Sequence, residues 1–207
     1  MREELKSQGF EVITVAEDTK GAAACEPFIQ AANPTHPSLL DPQHVVAELY
    51  NTKNVPAIFW INEEGRIVRA NDPIYVLRRN RETGEATVNQ AYLDGVRDWV
   101  EKGDKSLYLH DDNAIKWRRG QPDRADLQAM AHFRLGIYLY GKGDEQAAII
   151  QFKKAHALKP NNWNYKRQAW NLGDAQRDYG TTFQEARNDP AAQPFYLPLD
   201  LPQPPRA

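Results

Sequence analysis

The stretch NVPAIFWINEEGRI, residues 54–67, decides how this chain is read. A short polar loop leads to Pro56. The apolar run AIFWIN (57–62) follows, then Glu63-Glu64-Gly65, then a second run, RIVRAN (66–71). A short glycine-containing link between two apolar runs predicts a β-hairpin. A proline at the head of the first run suits a strand start, where its missing N–H breaks no interior ladder.

The segments on either side extend the pattern. EVITVA (11–16) is a continuous β-rich run and predicts a strand buried on both faces. GAAACEPFIQAAN (21–33) sets Phe28, Ile29 and Ala32 at helical spacing. PTHPSLLD (34–41) is a proline-bounded loop holding a short strand at 38–40. HVVAELYNTK (44–53) repeats Val45, Leu49 and Val46, Tyr50 at i and i+4, which predicts a helix. Residues 71–88 are mixed and polar, a surface excursion. NQAYLDGVRDWVEKG (89–103) puts Leu93, Val96, Trp99 and Val100 on one helical face. The order predicts an α/β domain over 1–103, with helices packed on a small sheet. The chain opens on EELKSQ, the end of an amphipathic helix without a beginning, so an earlier piece is expected to be missing.

Residues 104–123 show no clear period and read as a linker. Beyond them the character is helical. Residues 126–162 predict two helices around Gly141-Lys142-Gly143-Asp144, and 163–180 a third that caps them. The tail, 181–207, holds six prolines from Pro190 onward and is expected to lie extended.

Bulk numbers exclude several classes. The 207 residues carry 41% hydrophobic and 26% charged side chains, a globular balance. Net charge is −2, which gives no electrostatic case for nucleic acid or an anionic membrane. No apolar run approaches the ~20 residues of a membrane helix, and no secretory leader core is visible. If Met1 is the true start, the expected location is cytoplasmic; a missing upstream segment would leave an extracytoplasmic one open. One cysteine, Cys25, excludes an internal disulfide and a multi-cysteine zinc site. His36, His44, His110, His132 and His156 lack metal spacing, so neither metal nor cofactor is expected. Lys116, Arg118 and Arg119 around Trp117 read as a solvated basic patch. Cys25 is a weak redox candidate: a helix start can lower a thiol pKa, but Glu26 opposes this, and a small packed side chain on an Ala-rich helix is the simpler reading.

Two families are resembled. Leu135-Gly136, then Gly143, Ala148, Phe152, Ala155 and Pro160 resemble a tetratricopeptide repeat spanning about 129–162. Gly136 and Ala148 would let two helices approach, with Phe152 between them. His132 and Leu139 stand where that family usually has Trp and Tyr. One repeat cannot bury its own faces, so the unit is expected to dock on the α/β part or on a second copy. The repeat implies a protein partner.

GFEVITVAED, THPSLLD and HVVAELYNTKNVPAIFWINEEGRIV, in that order, resemble the TlpA/ResA-type redoxin branch of the thioredoxin-like superfamily over about 3–103. The stretch from Asn162 to Trp170 adds likeness to bacterial ResA-like proteins. The resemblance implies thiol–disulfide oxidoreductase ancestry. It also implies a cis Val55–Pro56 peptide and a substrate peptide pairing with the backbone at Val55 and Pro56. In that branch a strand, a Cys-x-x-Cys motif and its helix precede the matched segment. Here they are absent, so the chain is similar to a redoxin fold truncated at its N-terminus, without its nucleophile. The expected activity is therefore uncertain, and the alternative is a non-catalytic module that binds protein through the Pro56 groove and the repeat. The open sheet edge left behind invites association into a homo-oligomer.

Overall fold

In a computed structural model, residues 1–73, 77–80, 83–192 and 194–202 are described. The protein is mixed α/β. In chain order the elements are α1 (Arg2–Leu5), β1 (Thr14–Ala16), α2 (Ala22–Ala32), β2 (Ser38–Leu40), α3 (Val45–Tyr50), β3 (Ile58–Ile61) and β4 (Ile67–Asp72). There follow β5 (Leu77–Arg79), β6 (Ala86–Val88), α4 (Gln90–Lys102), α5 (Asp112–Arg119), α6 (Arg124–Gly141), α7 (Glu145–Leu158), α8 (Trp163–Leu172), α9 (Ala175–Tyr179) and α10 (Phe183–Asn188). The strands form three separate pairs: β1 with β2 parallel, β3 with β4 antiparallel and β5 with β6 antiparallel. The surface excursion expected at 71–88 contains the β5–β6 pair; its residues 74–76, 81 and 82 lie outside the described residues.

Two compact units emerge, each assembled from distant segments. The first comprises 1–12, 56–119 and 197 onward; the second comprises 13–55 and 120–196.

The first unit is built on the predicted hairpin. Trp60 of β3 is buried, stacks on Trp99 of α4 at 5.0 Å and donates its indole N–H to Tyr92 Oη at 2.9 Å. Leu5 and Val96 complete this core, with Leu199 and Leu201 of the tail packed against it. The tail is thus a cover, held by ions as well as leucines. Asp72, fully buried, binds both Arg69 and Arg118. Arg69 also donates to the carbonyls of Tyr108 and Asp200, and Arg118 to those of Ala70 and Pro198. The segment without a clear period therefore contains a helix, α5, whose Arg118 is 4% exposed. Arg118 is a structural ion rather than part of a solvated patch, while Trp117 beside it is 64% exposed.

The second unit joins a parallel pair to the helical segment. The run expected as a strand buried on both faces yields only three paired residues, and Ile13 is 61% exposed. Among the described residues β1 pairs with β2 alone. Helices α6 and α7 form an antiparallel hairpin around Ala129, Phe133, Ala148, Phe152 and Ala155. A Cβ added to Gly136 would sit 2.5 Å from Phe152 Cε1, so only glycine allows this approach. The third helix is shorter than its pattern suggests. It breaks at Gly173, and Asp174 restarts α9 by accepting from Arg177 N–H.

Candidate functional site

The second unit's polar centre lies where α8 meets residues 17–19 and 52–55. Asn162 caps α8 by accepting from Tyr165 N–H. The first amides of a helix have no partner within it. Here Trp163 N–H and Asn164 N–H both donate to the Lys53 carbonyl, at 2.6 and 3.1 Å.

Asn164, Arg167, Gln168 and Asn171 recur at i, i+3, i+4 and i+7, one face of the helix. Each reaches the same strip. Asn164 Nδ2 donates to Thr52 O at 2.9 Å and to Glu17 Oε2 at 3.2 Å. Gln168 donates to Glu17 O and accepts from Thr19 N–H, both at 3.0 Å. Asn171 donates to Asp18 Oδ2 at 3.3 Å. Arg167 Nη1 donates to Val55 O at 2.7 Å. The stretch from Asn162 to Trp170 is therefore a docking face for the strand-bearing segment. Its polar period was visible in the sequence; its partners, more than a hundred residues away, were not.

Behind the strip lies a buried ionisable cluster. Asp41 caps α3, accepting from Val45 N–H at 2.9 Å and Val46 N–H at 2.6 Å. His44 is 1% exposed, in a left-handed conformation (φ 58°), and packs edge-on against Phe133 at 5.3 Å. Its Nε2 lies 3.0 Å from Thr19 Oγ1, and its Nδ1 has no partner. Burial pushes this imidazole down, against the pull of Asp41 and Asp18, so it stays neutral. Burial pushes the Glu17 carboxyl up to about 7, and the charge of Asp41 adds to this. Thr19 and His44 resemble a hydroxyl–base pair, but an imidazole this buried cannot meet a substrate. The cluster can exchange a proton near neutrality; it offers no exposed nucleophile.

The sequence candidates sit as follows. Cys25 lies in the first turn of α2 and is 8% exposed. Burial raises its thiol pKa, and the Asp18 charge raises it further. The helix start does not win. Val55 is half-buried and Pro56 exposed. The Val55 carbonyl accepts from Arg167 and from Tyr196 Oη, each at 2.7 Å. A carbonyl has two lone pairs, and both are occupied. Among the described residues no group of three His, Cys, Asp or Glu is placed to hold a metal ion. Glu17 was not singled out from sequence, because its role depends on long-range neighbours; His44 was weighed there only as a metal ligand, and Gln168 only as part of the Asn162–Trp170 stretch. No family model, no curated protein and no solved structure matches the chain.

Proposed function

We propose that the chain is a redoxin-type protein of the thioredoxin-like superfamily, similar to TlpA/ResA proteins and so related to thiol–disulfide oxidoreductases. In this reading a redoxin-like part is followed by a tetratricopeptide-like hairpin with a capping helix. The chain as given binds a protein partner and performs no thiol chemistry.

The state of Cys25 carries this reading. A thiolate is the attacking species in disulfide exchange, and the chain's one thiol is buried and pushed toward its protonated form. Support for the fold comes from order and pairing. A parallel pair joined through α2 precedes a Val-Pro step, an antiparallel hairpin and α4.

The partner surface is best supported on α6. Leu127, Leu135 and Tyr138 are 55%, 43% and 60% exposed and share one face of that helix, away from Ala129, Phe133 and Gly136 in the core. An apolar stripe of this kind suits a protein partner with a complementary apolar face. Peptide pairing at Val55 is less well supported, since a substrate would have to displace Arg167 and Tyr196. Thiol titration with an aromatic disulfide tests the chemical half of the proposal. Cys25 should react far more slowly in the native protein than in denaturant. Equal rates would contradict it.

A further inference from the structure

Residues 197–202, Leu-Pro-Leu-Asp-Leu-Pro, lie on the first unit in a repeating pattern. Pro198 and Asp200 are exposed, while Leu199 and Leu201 are half-buried and pack against the core of Leu5, Trp60, Tyr92 and Val96. The carbonyls follow the same period of two. Pro198 O accepts from Arg118 Nη2 at 3.1 Å, and Asp200 O accepts from Arg69 Nη2. Alternation of both side chains and carbonyls marks an extended chain read along one edge. Among the described residues, no main-chain to main-chain hydrogen bond ties 197–202 to a strand or helix. The segment is held as a bound peptide is held, by side-chain donors on its carbonyls and by apolar contact with alternate residues.

The donors impose a pattern on whatever lies there. The Arg69 and Arg118 side chains are 1% and 2% exposed. Each Nη2 carries two N–H groups. One goes to Asp72 Oδ1, at 3.3 Å from Arg69 and 3.2 Å from Arg118, and the other to a carbonyl of the segment. A cover over apolar surface would need only its leucines; these two N–H groups require carbonyls two residues apart. Charge adds a further requirement. Two guanidiniums share one buried carboxylate, which leaves one positive charge in excess. Burial and the two arginines push His110 down to about 4, so it adds no charge. Tyr92 donates its O–H to Asp72, and Asp111 is engaged locally by Ala114 N–H at the start of α5. Burial and Arg69 work against the charge on Arg118, and the carboxylates of Asp72 and Asp200 favour it. Asp200 thus supplies the missing negative charge from the segment itself.

We propose that the first unit carries a binding site for an extended segment of apolar–acidic–apolar pattern in a partner protein, and that residues 198–201 are its resident occupant, which that segment displaces. The resident defines the chemistry: a carbonyl on Arg118, then an apolar side chain, then an acidic residue with its carbonyl on Arg69, then a second apolar side chain. Exchange leaves every strand and helix of the unit intact, because none of them includes 197–202. The site belongs to the first unit and depends neither on the α6 stripe nor on Cys25.

The test is fluorescence anisotropy of the full chain with a dye-labelled peptide of the sequence 197–202. Saturable binding is expected, and a control peptide carrying Leu199→Ser and Leu201→Ser should not bind. The same two changes made in the full chain weaken the resident segment. That variant should bind the unchanged peptide about tenfold more tightly than the parent does, because an attached competitor acts at a high effective concentration. Should the variant fail to fold, the parent and the control peptide decide the matter alone. Asp200→Asn in the peptide should weaken binding about threefold, as for loss of an exposed charge interaction. No saturable binding by the parent, equal binding of the control or Asp200→Asn peptide, or a folded variant that binds no more tightly would each overturn the proposal. So would a dimer of the parent that the free peptide dissociates, which would assign the site to the tail of a second copy.

Discussion

Replacing Glu17 with Gln should make the protein more stable at high pH and hardly change it at low pH. The carboxyl lies in the second unit beside Asp41, with Asn164 Nδ2 donating to it at 3.2 Å. Burial holds it near 7, against an ordinary 4.5. A carboxyl raised in the folded state binds its proton more tightly there than in the unfolded chain. Its stabilising contribution is therefore complete below pH 4.5 and is lost as pH climbs through 7. At 1.36 kcal/mol per pH unit the full displacement is worth about 3 kcal/mol. Gln keeps an oxygen for Asn164 and never ionises, so it escapes the loss. Urea unfolding of both proteins from pH 4 to 8 should give curves that meet near the acid end and diverge by up to about 3 kcal/mol above pH 7. A difference that does not vary with pH would refute the assignment of a buried, neutralised Glu17.

Two further predictions concern the cores. Asp72→Asn leaves Arg69 and Arg118 buried without their anion, so the first unit should lose about 3–5 kcal/mol in denaturant unfolding. Those arginines also hold the carbonyls of Pro198 and Asp200, so residues 197–202 should become protease-sensitive in the same variant. Gly136→Ala places a methyl 2.5 Å from Phe152 Cε1; overpacking should cost about 1–3 kcal/mol, partly offset by alanine's better helix propensity.

Local periodicity made much of this molecule legible in advance. Gly136, Ala148 and Phe152 announced a helical hairpin because close helix packing leaves a short, regular signature. Gly65 marked the β3–β4 hairpin in the same way. The Asn162–Trp170 stretch stood out as a pattern, but its meaning needed Glu17, Thr52 and Val55, which lie far away in the chain. Arg118 was misread as solvated because nothing near it in sequence reveals Asp72. The buried roles of His44 and Glu17 were hidden for a related reason. Their protonation is set by burial, and burial belongs to the fold rather than to any short window. Val55 was pointed to only by the resemblance; in the structure its carbonyl accepts from Arg167 and Tyr196.

The central proposal is that this chain has a redoxin-like plan yet acts by binding, not by thiol chemistry. Reduction of insulin by dithiothreitol, followed by turbidity, tests it most directly. The full chain and Cys25→Ala should both leave the rate at the level of dithiothreitol alone. A clear acceleration by the parent protein that disappears in Cys25→Ala would contradict the account.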